Sequence, residues 1–256
     1  MDVRDRVLLV VGVGEGLGTA TISQLATDGA VTIGVARRPE VLERLETYGK
    51  KHGWKFHGRR ADSKVQKEVD RVVTSVISDF GHIDGVSVNA GHWVPGETLI
   101  HRMSDKEWND GLVDNLEPFY RVSRAVLPHM VAHGSGSIVT VSAAPHVRTD
   151  GSASYAAAKG GLLELVRKLA LDYRSDGIRF NGVLPGPMKG EVTSLEPPTG
   201  SAFVPLSNSV PTSPWEVARA IEYLLSDSSR WVSGTLLTVD GGYSTWGKEQ
   251  ANVPSK

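Results

Sequence analysis

Val7-Leu8-Leu9-Val10-Val11-Gly12-Val13-Gly14-Glu15-Gly16-Leu17-Gly18 is the stretch that decides the fold. Its apolar opening is far too short to span a bilayer and reads as a buried first strand. Glycines stop it, and Leu17 to Gly29 then reads as a helix. Glycine lets the backbone turn sharply and approach a ligand closely. The helix that follows aims its N-terminal amides at the same place, which suits a pyrophosphate. The spacing is Gly12-x-x-x-Gly16-x-Gly18; the commoner G-x-G-x-x-G would need glycine at Leu17. A tight strand–helix turn with no ligand is the plainer reading. Its place after the first strand favours nucleotide binding, with Gly12, Gly14, Gly16, Leu17 and Gly18 as the contacts.

Outward from this stretch, strands and helices alternate. Val31–Ala36 is the second strand, and Pro39 begins a charged helix to about Lys51. Trp54 to Ala61 is a weaker third strand. Lys64 to Phe80 carries Val65, Val69, Val72, Val73, Val76 and Ile77 at helical spacing. Ile83 to Asn89 is a fourth strand. Asp105 to His133 is one long helix or two, with Pro118 and Pro128 as candidate breaks. Ser137 to Ser142, Ile178 to Leu184 and Thr235 to Asp240 are further strands. Helices at Tyr155–Arg174 and Pro214–Ser226 lie between them. Val- and Ile-rich strands separated by helices imply an α/β protein: a mostly parallel sheet, about seven strands, covered on both faces. No domain boundary stands out, so residues 1–256 read as one domain. Residues 189–213, rich in Pro, Ser, Thr and Gly, read as a long loop over the substrate.

The chain has 256 residues, 40% hydrophobic and 22% charged, with a formal net charge of -1. Nothing in that balance points to nucleic acid or a membrane surface. There is no cysteine, which removes disulfides, thiolate metal sites and a cysteine nucleophile and fits a reducing compartment, with the cytoplasm as the expected location. His129 and His133 have i,i+4 spacing but no accompanying glutamate, so no metal site is expected.

Tyr155 and Lys159 are four residues apart in an Ala-rich helical segment, on one helix face. A free tyrosine ionises near pH ~10. A neighbouring ammonium is expected to pull that value down. A phenol so placed gives a proton to a carbonyl oxygen or takes one from an alcohol.

Gly12-x-x-x-Gly16-x-Gly18, Asn89-Ala90-Gly91, Asn115, Ser142, Tyr155-x-x-x-Lys159 and Pro185-Gly186 follow one another in a set order. Ser233-Gly234 and Val239-Asp240-Gly241-Gly242 close it. In this the chain resembles the short-chain dehydrogenase/reductase family, from the first strand to Gly242. The resemblance implies a doubly wound, Rossmann-like fold with NAD or NADP across the carboxyl ends of the strands. It implies Asn115, Ser142, Tyr155 and Lys159 as the catalytic residues. Asp62 and Ser63 are implied at the adenine, Asn89, Ala90 and Gly91 at the ribose, and Tyr155 and Lys159 also at the cofactor, Lys159 on the nicotinamide ribose. Pro185 and Gly186 are implied at the nicotinamide.

Arg37 and Arg38 end the second strand where an NAD-binding relative carries an acidic residue, and guanidinium groups suit a 2'-phosphate. NADP(H) is therefore favoured, with NAD(H) possible. Glu15 stands where many NADP-preferring relatives have a basic residue. It either pairs with Arg37 or Arg38 or marks a relaxed preference. Lys189-Gly190 replaces the region of a nicotinamide-binding threonine, and the nearest threonine is Thr193. The expected substrate is a small neutral carbonyl or alcohol, met by Trp93, Ser142, His146, Tyr155 and Met188. The resemblance implies a homotetramer or homodimer, paired through the 105–133 and 155–174 helices and, across another axis, through the final strand and C-terminus. The alternatives are an NAD-dependent alcohol or sugar dehydrogenase and, further off, a non-catalytic nucleotide sensor on the same fold.

Overall fold

The computed structural model describes residues 2–188, 191–199 and 211–246. In chain order, Val7–Val11 is β1, Leu17–Thr27 α1, Val31–Ala36 β2, Pro39–His52 α2, Lys55–Arg60 β3, Gln66–Phe80 α3 and Gly85–Val88 β4. Then come α4 (Asp105–Asn115), α5 (Glu117–His133), β5 (Gly136–Val141), α6 (Pro145–Asp150), α7 (Ala153–Asp172) and β6 (Ile178–Pro185). The last elements are α8 (Pro214–Leu225), β7 (Leu236–Val239) and α9 (Tyr243–Trp246).

The strands form one sheet of seven in the order β3-β2-β1-β4-β5-β6-β7, every pair parallel. This is the doubly wound, Rossmann-like arrangement. Winding reverses between β1 and β4, and the crevice at such a reversal is where ligands of this fold bind. Side chains of β1 alternate between two cores. Val7, Leu9 and Val11 share one with Val72 and Val76 of α3, Phe119 and Val122 of α5, and Leu162 of α7. Leu8 and Val10 share the other with Ile22 of α1, Leu42 of α2 and Ile221 of α8. Both faces are covered, which is why β1 is apolar at every position.

Local chemistry sets the ends. Ser104 and Glu107 form a reciprocal capping box at α4, satisfying two orphan amides. Ser152 Oγ accepts from Tyr155 N at 3.1 Å and caps α7, so the cap fixes the turn that carries the tyrosine. The helix expected from Lys64 starts at Gln66. Asp62 Oδ1 accepts from Lys64 N at 2.9 Å, and this Asx turn occupies the residues before it. The Asp105–His133 helix is two helices, but the break is at Leu116 (φ -116°). Pro118 lies in the first turn of α5, where it suits the helix, and Pro128 lies within α5. Among the described residues no helix is long and apolar enough to cross a membrane.

Candidate active site

The glycine loop is packed against the end of β4. Gly12 has φ +94°, and a Cβ there would overlap the Ala90 backbone. A Cβ at Gly18 would overlap Gly12 and Val13. Only glycine serves at these two positions. A Cβ at Gly14 would meet nothing within 4 Å, so the loop presents an open surface there. Gly16 is the N-cap of α1.

Beside this loop lies a cavity of about 380 Å³, lined in part by Gly12, Gly14, Arg37, Arg38, Asp62, Ser63, Asn89, Ala90 and Gly91. Arg37 and Arg38 are exposed at its rim. Among the described residues neither pairs with Glu15, so the first of the two alternatives for Glu15 is not formed. Lys64 and Asp114 also line this cavity and pair at 2.9 Å. Sequence reasoning missed both as lining residues. Their signal was adjacency, Lys64 to Asp62-Ser63 and Asp114 to Asn115.

A second cavity, about 580 Å³, takes in Gly12, Gly14, Asn89, Gly91 and His92 as well, so the two form one groove. Leu17, Gly18, Trp93, Ser142, His146, Tyr155, Lys159, Pro185, Gly186 and Met188 line this end. Asp150 lines it too and was not foreseen, because the short helix α6 has no periodicity to announce it. His146 Nδ1 lies 3.1 Å from Ser244 Oγ, and its ring is 4.3 Å from that of Tyr243. The chain after β7 thus packs against His146 in the wall of this cavity.

Tyr155 and Lys159 are both buried on α7. Lys159 Nζ donates to Val141 O at 2.9 Å and lies 5.9 Å from the centre of the Tyr155 ring. The expected lowering of the tyrosine pKa by this lysine is not what the structure gives. Burial pushes the Tyr155 phenol up to about 12, against a smaller opposing pull from Arg148. Burial also pushes Lys159 down to about 8. A Cβ at Gly151 would fall on the Tyr155 ring, so this glycine makes room for it. Ser142 lines the cavity, and its Oγ donates to Lys159 O at 2.7 Å. Asn115 is buried; its Oδ1 accepts from His92 N at 3.0 Å, and its Nδ2 donates to Gly111 O at 3.2 Å. A Cβ at Gly91 would lie 2.8 Å from Asn115 Oδ1 and 3.0 Å from Lys159 Nζ. These polar groups converge on the turn after β4.

The expected substrate loop is divided. Thr212 N donates to Pro187 O at 2.8 Å and closes its base. Residues 191–199 do not cover the second cavity. Thr193 and Leu195 lie beside Glu40, Arg44 and Tyr48 of α2, so Thr193 is not placed to hold a nicotinamide. Lys189, Gly190, Phe203 to Leu206 and the tail from Gly247 lie outside the described residues.

Known proteins with the same plan bear on this groove. The family described as enoyl-(acyl carrier protein) reductase matches residues 12–244. The 3-oxoacyl-[acyl-carrier-protein] reductase FabG of Escherichia coli is 31% identical over 247 residues, covering 94% of this chain and 98% of the relative. That of Thermotoga maritima is 30% identical, covering 94% and 99%. Among solved structures, levodione reductase superposes with a TM-score of 0.83 at 29% identity, covering 94% and 98%. A short-chain dehydrogenase/reductase from Burkholderia xenovorans, described as putative, gives 0.83 at 25%, covering 95% and 98%. With a match that spans nearly the whole chain and motifs that line one groove in the order of its strands, this chain belongs to the short-chain dehydrogenase/reductase family, enzymes that act on carbonyl and alcohol groups.

Proposed function

We propose that the protein interconverts a small neutral carbonyl compound and its alcohol with NADP(H), Tyr155 acting as general acid in reduction and general base in oxidation. The observation that carries this is the convergence of Tyr155, Lys159, Ser142 and the glycine loop on one groove. The groove fits a dinucleotide: its glycine cradle is open at Gly14, and α1 begins beside it. Arg37, Arg38, Asp62 and Ser63 would hold the adenosine end, Asn89 to Gly91 the middle, and Lys159, Pro185 and Gly186 the nicotinamide end. When bound, the cofactor supplies or accepts the hydride.

The chain's own residues move the proton and hold the substrate. Tyr155 Oη gives its proton to the carbonyl oxygen as that oxygen gains charge, and takes it back from an alcohol in the reverse direction. Ser142 Oγ reaches the same oxygen by rotating away from Lys159 O. The Lys159 charge favours a phenolate if one forms. Asn115 keeps the Gly91–His92 turn against Lys159. Trp93, His146 and Met188 line the substrate end, which is mostly apolar and suits a neutral molecule. The whole chain acts as one domain, since both ends of the groove lie on one sheet. We assign it to the cytoplasm on its lack of cysteine.

We also propose a homo-oligomer. The outer faces of α5 and α7 form an apolar groove of about 450 Å³ that includes Tyr120, Leu127, Val131 and Leu165, and Tyr120 is 52% exposed.

The functional test is a panel of ketones, aldehydes and alcohols with NADPH and NADH in parallel, following nicotinamide absorbance. Arg37→Ala is expected to weaken NADPH at least tenfold and to leave NADH nearly unchanged, because only NADPH presents a phosphate to the guanidinium. An equal loss for both rejects the phosphate pocket.

A further inference from the structure

Residues 191–199 stand where the sequence suggests a cover for the substrate, yet none of them lines the substrate end of the groove. They are held elsewhere at several points. Val192 N donates to Glu15 O at 2.7 Å. Arg44 Nη2, from α2, donates to Val192 O at 3.1 Å. Arg219 Nη2, from α8, donates to Pro198 O at 2.7 Å. The Val192 side chain is buried with Ala20 of α1 and Ala218 of α8. Leu195 is buried in the core that holds Leu42 and Leu45 of α2 and Val217 and Ile221 of α8. A segment meant to open and close has few buried contacts; this one is anchored by backbone bonds and by two core side chains.

We propose that residues 191–199 are a strap that positions the glycine loop for the nicotinamide nucleotide, with Arg44 and Leu195 as positioning residues. The inference rests on the nucleotide-binding reading above. A peptide unit is planar and trans, so its C=O and N–H point in opposite directions. Holding Glu15 C=O against Val192 N therefore turns Gly16 N–H away from the strap. Gly16 caps α1, and its plane sets how the first amides of the helix, where an anion is held, are presented. Arg44 completes the link. It lies on the helix that begins just after Arg37 and Arg38, so the strap ties the glycine loop to the helix next to the candidate phosphate-binding arginines.

The test uses the full chain, as wild type, Arg44→Ala, Arg44→Lys and Leu195→Ala, titrated with NADPH and separately with NADH by fluorescence. The KM of the carbonyl substrate is measured at saturating cofactor. Arg44→Ala is expected to raise both nucleotide Kd values by the same factor, about three- to tenfold, the size of one ordinary lost hydrogen bond. Arg44→Lys recovers part of this, Leu195→Ala acts in the same direction, and the carbonyl KM stays within about twofold. A loss confined to NADPH means that only a positive charge was removed, and it overturns the strap. Unchanged Kd values overturn it too, most directly if the carbonyl KM rises, as a substrate lid requires. A wild type that binds neither nucleotide overturns the functional reading and the strap with it, and is distinct from a wild type that binds while the variants bind equally well. Arg44 is exposed, so its substitution tests the inference even if Leu195→Ala does not fold.

Discussion

Burial and the guanidinium of Arg148 pull the Tyr155 phenol in opposite directions, and burial wins, raising it to about 12. Tyr155 therefore keeps its proton throughout the ordinary range, the state that a general acid for reduction needs. The group that titrates in range is Lys159, pushed down to about 8. Below that value the site carries an ammonium; above it the charge is lost. The expected outcome is a kcat/KM for carbonyl reduction that falls as pH rises through about 8, read from a pH profile of the free enzyme. A profile flat to pH 10 rejects a role for that charge. Tyr155→Phe is expected to lose at least about 100-fold in kcat at every pH, a far larger effect than on cofactor Kd. The tyrosine–lysine pair was legible in the sequence, because i,i+4 spacing puts both on one helix face. The direction of the tyrosine shift was not, because spacing says nothing of desolvation or of the Val141 carbonyl that accepts the lysine's hydrogen bond.

The packing of α1 against α8 hides a second titrating centre. Gln24 Nε2 donates to Asp28 Oδ2 and to Glu222 Oε2, both at 3.1 Å. Glu222 is fully buried, and burial, with Asp28 adding to it, raises its carboxyl to about 8. Folded Glu222 thus holds a proton that the unfolded chain releases near pH ~4.3. Its contribution to stability is full below that pH and is lost as pH rises through about 8. Glu222→Gln is expected to raise the melting temperature at pH 8.5 and to change it little at pH 5; an equal change at both rejects a proton on Glu222. Element types were legible wherever periodicity is strong, as in α3. The break at Leu116 was not, because the sequence offers Pro118 and Pro128 as louder signals and both are accommodated in α5. The strap was not legible either, since Val192 and Leu195 are two apolar residues in a Pro-, Ser- and Thr-rich stretch with no period.

At the scale of the molecule, the parallel sheet and the motif order were readable because most motifs follow the carboxyl end of a strand, the glycine loop after β1, Asn89-Ala90-Gly91 after β4, Ser142 after β5 and Pro185-Gly186 at the end of β6. How the chain meets its copies depends on surface that periodicity does not describe. Tyr120→Glu on α5 is expected to reduce the mass measured by light scattering from that of an oligomer toward that of one chain; an unchanged mass rejects this face. The tie between Thr212 N and Pro187 O has a different consequence. It closes the long excursion at its root, so the sheet and Tyr155 do not depend on how much chain the excursion holds beyond the strap. Lengthening such a loop costs only about 0.6 kcal/mol per doubling. Insertions or exchanges at the far end of this excursion are a cheap route by which the protein's descendants could acquire new substrates while keeping one catalytic frame.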